Sequence, residues 1–285
     1  MARDCNISIV VINLDRDPQR LAYMRSQLDD LGLSFTRFPG IVGAALPDEL
    51  RHYFGPSEES FLSAGEIGCY ASHMAVYEAV ENGSIAAPVL VLEDDVALPD
   101  DLPALLKELC RALPADWDFV RLSSPSKRAY VVERKLESSD RALVRYSISP
   151  GSNGALLVSA SGARKFRKRI VRQLPIDQDN RLLWEFDLKL YGVVPTPVRG
   201  NSLETSTIDD LGTHLFREDP ARQRRLRRKR SLWRRHAWNI KEFGGAAWVV
   251  SEAVNLIVPL IPRKSRPVFL ARAGSWLGAV ANTSR

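Results

Sequence analysis

Ile7-Ser8-Ile9-Val10-Val11-Ile12-Asn13-Leu14-Asp15-Arg16-Asp17-Pro18 is the stretch from which the fold class can be read. Ile7 to Asn13 is a nearly continuous apolar run rich in β-branched residues, the pattern of a strand covered on both faces in a parallel sheet. Asp15-Arg16-Asp17-Pro18 supplies a capping side chain and a proline for a first helical turn, and Leu21, Met24, Leu28 and Leu31 recur at helical spacing until Gly32. Phe35 to Val42 reads as a second strand. The unit is β-α-β, and its first connection, Asn13 to Arg16, lies at the carboxyl end of a buried strand, where open α/β sheets bind ligands.

The same alternation continues along the chain. Ser63-Ala64-Gly65-Glu66 is a capping box opening a helix from about Gly65 to Asn82. Val89-Leu90-Val91-Leu92 is a short buried strand that ends abruptly in Glu93-Asp94-Asp95. Pro99 and leucines 102, 105, 106 and 109 predict an amphipathic helix, Trp117 to Leu122 and Ala155 to Val158 further strands, and Ser161 to Val171 a helix. Tyr191 to Val198, which contains Pro195 and Pro197, is expected as an edge strand or extended segment. These elements predict a three-layer α/β domain over residues 1–216.

Residues 217–285 differ in composition. The chain carries 40 Lys and Arg against 34 Asp and Glu, a net charge of +6, yet ten of the basic residues and no acidic one fall between Ala221 and Lys241. Without that segment the balance is 30 against 34, so the rest of the protein is mildly acidic and a general nucleic-acid-binding fold is not implied. Leu226, Trp233, Ala237 and Ile240 share one helical stripe of the basic segment; Val249, Ala253, Leu256, Ile257 and Leu260 form a second apolar face and Val268 to Val280 a third apolar stretch. Four of the six tryptophans lie here. A basic, tryptophan-bearing helical tail suits an anionic membrane surface better than nucleic acid, with a plain solvated face as the alternative. No run reaches the ~20 apolar residues of a spanning helix. The start of the chain lacks a secretory leader pattern, and Cys5, Cys69 and Cys110 are expected as packing thiols of a reducing compartment, so a cytoplasmic location is expected.

Three consecutive acids at the end of a buried strand repel one another, and a divalent cation is the usual way to offset that cost. Glu93, Asp94 and Asp95 are therefore metal-ligand candidates for Mn²⁺ or Mg²⁺; a solvated turn capping the next helix is the competing reading. No Gly-x-Gly-x-x-Gly and no P-loop follows the first strand, which argues against dinucleotide and P-loop chemistry.

Three blocks together, Val11-Ile12-Asn13-Leu14-Asp15-Arg16 with Pro18 and Arg20, Leu62 to Cys69 with Ser72-His73, and Val91-Leu92-Glu93-Asp94-Asp95, closely resemble glycosyltransferase family 25, the lipooligosaccharide-biosynthesis type. Gly151 to Val158, Leu174-Pro175-Ile176-Asp177 and Ser206-Thr207-Ile208 resemble its later blocks in order. The resemblance covers about residues 6–210 and implies a GT-A-like, Rossmann-like nucleotide-sugar fold with a mostly parallel sheet. It further implies a UDP-sugar donor carrying galactose or glucose, and inverting transfer to a hydroxyl of a glycan or lipid-linked oligosaccharide acceptor, a lipopolysaccharide core sugar being the family's example.

On that resemblance Asp95 is the first metal ligand, with Asp94 or Glu93 assisting; separately, His214, after Asp209-Asp210, is a candidate late ligand because imidazole binds Mn²⁺ acceptably. Asp177 is the expected catalytic base, with Asp179 and Glu185 as rivals and a helix-capping role as the plain alternative. Asn13, Asp15, Arg16, Arg20, His73, Asp94, Glu93 and Gly154 are expected around the nucleotide-sugar, although capping, surface pairing, core packing and an ordinary glycine turn would also account for several of them. The competing function is a nucleic-acid- or membrane-binding protein that works through the arginine-rich tail on an inactive transferase fold.

Overall fold

A computed structural model describes residues 6–55, 62–200 and 231–283. The opening unit folds as read: strand β1 (Ser8–Asn13), helix α1 (Pro18–Asp30) and strand β2 (Thr36–Pro39). A short helix α2 (Asp48–Arg51) precedes α3 (Ala64–Glu81), whose capping box is formed in both directions between Ser63 and Glu66. Strand β3 (Val89–Glu93) turns through Asp94-Asp95 into the two-residue β4 (Val96–Ala97), and α4 (Leu102–Ala112) follows. Then come β5 (Phe119–Arg121), the hairpin β6 (Tyr130–Lys135) and β7 (Ala142–Tyr146), β8 (Ala155–Val158) and α5 (Ala160–Phe166). Single-turn helices α6 (Ile176–Asp179) and α7 (Leu183–Phe186) lead to β9 (Leu190–Val194) and β10 (Arg199–Gly200). Helices α8 (Leu232–Phe243), α9 (Gly245–Ile257) and α10 (Arg266–Thr283) complete the described chain.

Eight strands form one sheet in the order β2-β1-β3-β8-β5-β9-β7-β6, and β10 pairs with β4 beside it. The pairings are parallel for β2-β1-β3 and β5-β9 and antiparallel elsewhere, so only β7 and β8 run against the other six. Strand β1 lies between β2 and β3, so the chain changes direction of progress across the sheet at β1. That is a topological switch point, and it leaves a crevice beyond the carboxyl ends of β1 and β3.

Alternation along the strands feeds two cores. Ile9 and Val11 face α1 and α4, where Met24, Leu28, Leu102, Leu105 and Leu109 are buried. Val10 and Val91 face α3, α5, α6 and α7 through Tyr70, Met74, Phe166, Ile176 and Phe186. Arg172, fully buried, sits among Tyr53, Tyr70, Phe166 and Phe186 with its guanidinium carbon 4.7–5.6 Å from each ring centroid.

The C-terminal helices join this second core through Phe243, Ala247, Val254, Leu270 and Leu277. Helix α10 lies directly on β6. A Cβ at Gly274 would come within 2.4 Å of the Tyr130 ring and one at Gly278 within 2.2 Å of the Val132 carbonyl oxygen, so the contact requires both glycines.

Four sequence expectations are corrected. Leu190–Val194 is an interior strand between β5 and β7, because Pro195 and Pro197 come after the last paired residue and remove no donor from the ladder. The helix expected over 161–171 stops at Phe166. In α8 the stripe that enters the core is Asn239 and Phe243, while Trp233 and Ile240 face outward at 68% and 42% exposure. Cys110 is disulfide-bonded, not a packing thiol, and Cys69 is free. Cys5, Leu226, Ser206 to Ile208 and the boundary near 216 lie outside the described residues.

Candidate functional site

Parallel pairing of β1 with β3 in the register Ile12↔Glu93 brings Asn13 beside the acidic turn. The buried Asn13 amide donates to Asp94 Oδ2 at 2.7 Å and to the Asp17 carbonyl at 2.9 Å. Arg20, from the first turn of α1, donates to Asp94 Oδ1 at 3.1 Å. Both Asp94 oxygens are thus held by protein donors. Burial raises its carboxyl above the ordinary range, and the Asn13 and Arg20 bonds pull it back.

Asp95 and Glu93 are placed differently. Neither forms an ion pair with Lys or Arg among the described residues. Burial, reinforced by the Glu93 charge, pushes the Asp95 carboxyl up to about 6. Two neighbouring acids without a Lys or Arg ion pair, one of them, Asp95, partly desolvated, fit a bound divalent cation, and Asp94, already occupied by Asn13 and Arg20, fits the role of brace. The backbone turns at Asp94-Asp95 and does not stay extended, so it is the turn that gathers these acids.

Helix α3 forms the facing wall. His73 is buried with Nε2 3.5 Å from Glu93 Oε1, and Cys69 Sγ lies 4.0 Å from the same oxygen. Cys69, His73 and Glu93 present ligand atoms within 4.8 Å of one another. Burial first, then the charges of Glu93, Asp177 and Asp95, push the Cys69 thiol well up, which places those three carboxylates around this one side chain. Cys69 was not expected here; its i, i+4 spacing from His73 on a helix was the available signal. A cavity of about 100 Å³ is lined by Asn13, Arg16, Arg20, Cys69, His73 and the acidic turn.

The segment before β8 connects this turn to α6. The Glu93 amide donates to the Gly154 carbonyl at 2.9 Å, and Asn180 donates to Asn153 at 2.7 Å. Gly151 lies so close to Asp177 that a Cβ there would stand 2.9 Å from Oδ2. Glycine at 151 therefore lets the loop pass over the Asp177 carboxylate, and Asp177 reaches the same region as Asp95. Arg121, at the end of β5, is fully buried, its three guanidinium nitrogens lack a hydrogen-bond partner among the described residues, and burial lowers it to about 10 against the opposing charges of Tyr146 and Asp177. Sequence reading missed Arg121, because a strand arginine carries no local sign that it will be buried.

Of the residues singled out from sequence, Asn13, Arg16, Arg20, His73, Glu93, Asp94 and Asp95 converge on the cavity, Gly154 supports it from behind and Asp177 stands nearby. Asp15 is turned outward, paired with Arg37. Asp179 points away into the aromatic cluster, accepting from Tyr70 Oη at 3.0 Å. Glu185 pairs with Arg234. His214 and Asp209-Asp210 lie outside the described residues.

Comparison with known proteins places the chain in a family. Residues 6–179 match the family described as glycosyltransferase family 25 (LPS biosynthesis protein). A glycosyltransferase 25 family member of Aedes aegypti is 29% identical over 186 residues, 60% of this chain and 30% of the relative. One of Drosophila melanogaster is 32% identical over 198 residues, 62% of this chain and 30% of the relative. A bovine relative named as a probable inactive glycosyltransferase 25 family member 3 is 26% identical over 190 residues, with 60% and 30% covered. The chain spans about 30% of the length of these relatives. The family match covers more than half of the chain and includes β1, α3 and the acidic turn, and on that ground the protein belongs to glycosyltransferase family 25.

Proposed function

We propose that this protein transfers a hexose, galactose or glucose, from a UDP-sugar to a hydroxyl of a glycan acceptor with inversion, in lipopolysaccharide, lipooligosaccharide or related surface-glycan synthesis. The observation that carries the reading is the Glu93–Asp95 couple, which has no Lys or Arg ion pair among the described residues, with Asp95 pushed up to about 6, at the sheet's switch point. Bound there, Mn²⁺ or Mg²⁺ would supply charge neutralisation for the diphosphate of the donor. Glu93 and Asp95 would hold the cation and Asn13 and Arg20 would fix Asp94 behind them. Arg16, His73 and the loop ending at Gly154 would line the nucleotide-sugar.

Asp177 is the base of this proposal. In one displacement it accepts the acceptor hydroxyl proton while that oxygen forms a bond to the anomeric carbon. The bond from that carbon to the diphosphate oxygen breaks, and its electron pair leaves with UDP. Asp179, engaged by Tyr70, supports α6 and does not meet the acceptor.

The site of action we infer is the cytoplasmic face of a membrane. Among the described residues no helix is long and apolar enough to cross one. The support is the outward apolar row of α9 and its continuation, Val249, Leu256, Ile257 and Leu260, 46–84% exposed, next to Arg263 and Lys264. Flotation with phosphatidylglycerol-containing liposomes should carry the protein upward, and equal flotation of a Leu256→Glu/Leu260→Glu variant would remove this surface from the interaction. Cytoplasmic residence further requires Cys110 to be reduced in cells, which thiol alkylation at lysis would read.

The function itself is tested by calorimetric titration of UDP with Mn²⁺ and with chelator, followed by donor hydrolysis across UDP-hexoses. Binding that needs Mn²⁺ and Asp95, with turnover, supports the proposal. Binding without any turnover would place the chain with the relatives named inactive.

A further inference from the structure

Two adjoining cavities of about 250 and 500 Å³ share Arg128, Ile148, Ser149 and Arg181. Around them stand five basic side chains, Lys127, Arg128, Arg181, Arg235 and Arg266, and among the described residues no aspartate or glutamate lines either cavity. Such a one-sided charge is unusual for a protein whose catalytic region is mildly acidic. Arg128 donates from Nη1 to the Asn255 carbonyl and Arg266 from Nε and Nη2 to those of Ile261 and Pro259, and neither has a carboxylate partner among the described residues. Arg235 shares its charge with Glu252 at 3.3 Å, outside the cavity. Trp184 and Trp238 line the smaller cavity, and the buried Trp184 Nε1 has no acceptor among the described residues. Indole faces beside fixed donors suit the pyranose ring of a sugar.

The position matters as much as the charge. Gly151 lines the larger cavity and abuts Asp177 Oδ2, and Gln178 and Arg181, on either side of the end of α6, line the smaller one. The cavities therefore lie beside the loop and the helix that carry and flank the proposed base. We infer that they form an acceptor subsite for a sugar bearing an oxyanion, phosphate or carboxylate, held by Lys127, Arg128 and Arg266 with its ring against Trp184 and Trp238. The assignment as acceptor subsite rests on the transferase reading above; the affinity for an anionic sugar does not.

Tryptophan fluorescence of the full chain with UDP and Mn²⁺ would be followed on titration with glucose 6-phosphate, glucuronate and methyl glucoside. The expected result is saturable binding of at least one anionic sugar at least tenfold tighter than the neutral one, and the tighter of the two anions identifies phosphate or carboxylate. Arg128→Gln should weaken it at least fivefold while UDP affinity stays within twofold. Lys127→Glu, at an exposed side chain, repeats the test without touching the Asn255 contact. Equal affinity for methyl glucoside, or unchanged anion binding in Lys127→Glu, overturns the inference. Failure of UDP binding in the wild type overturns the donor reading instead, and the anionic-sugar titration still reports on these cavities.

Discussion

Asn13 donates its side-chain amide to Asp94 Oδ2 at 2.7 Å, tying the end of the first strand to the acidic turn at the end of the third. The two residues are 81 positions apart, and the parallel register of β1 and β3 alone makes them neighbours. This bond and the Arg20 contact account for both Asp94 oxygens, which leaves Glu93 and Asp95 as the two acids of the turn proposed to meet a cation. Asn13→Ala would leave a buried carboxylate oxygen short of a donor, a loss of about 1–3 kcal/mol that urea unfolding would measure. UDP affinity should fall with it, since the turn loses its brace.

Asp95→Asn should act oppositely on stability and on binding. It removes a desolvated charge next to Glu93, so the metal-free protein should gain about 1 kcal/mol, a rise in Tm of roughly 2–4 °C. The same change should eliminate the Mn²⁺-dependent part of UDP binding. A variant that is less stable without metal, or that binds UDP with Mn²⁺ as wild type does, would contradict the assignment.

The pH dependence has a definite sign. Asp95 holds its proton up to about 6 in the folded chain, above its ordinary value of 3.8, so between those values the folded state binds more protons than the unfolded one. The Asp95 contribution therefore makes the metal-free protein lose stability as pH rises from about 4 to about 6, with no further change above. On the proposed function Mn²⁺ at Asp95 would displace that proton, so Mn²⁺-dependent UDP affinity should drop by about tenfold per unit below pH 6 and level off above it. Calorimetry from pH 5 to 8 reads both.

Arg145 fixes the C-terminal helices to the sheet. Its Nε donates to Glu133 Oε1 at 2.6 Å, Nη1 lies 3.5 Å from Glu242 Oε2, and the guanidinium stands over Phe243 at 5.0 Å. Arg145→Ala leaves two acids without their shared cation and should cost about 3–5 kcal/mol. Limited trypsin digestion should then cut within residues 231–283 earlier than in the wild type.

Arg172→Leu is a milder test of the aromatic cluster behind α6. It keeps the volume but loses the cation among four rings and the donor to the Lys168 carbonyl, and should cost about 2 kcal/mol in thermal unfolding. Because Asp179 is reached through Tyr70 in the same cluster, donor affinity should stay near wild type while acceptor turnover falls.

Local pattern alone determined the β-α-β opening, the capping-box helix and the buried third strand with its acidic end. Each of these rests on residues within about one helical turn or one strand of each other, where side-chain periodicity and capping chemistry act. Only the tertiary structure decided which of three neighbouring acids is braced, because that depends on Asn13 and Arg20 arriving through strand pairing. It also decided that Asp177 lies beside the site while Asp179, two residues on, is held by Tyr70, and that Cys69 and Arg121 belong to the region at all. The hairpin β6–β7 and the inward face of α8 escaped sequence reading for a related reason. Their apolar and polar residues are sorted by the helices and strands that come to cover them, and that covering is set by contacts distant in sequence.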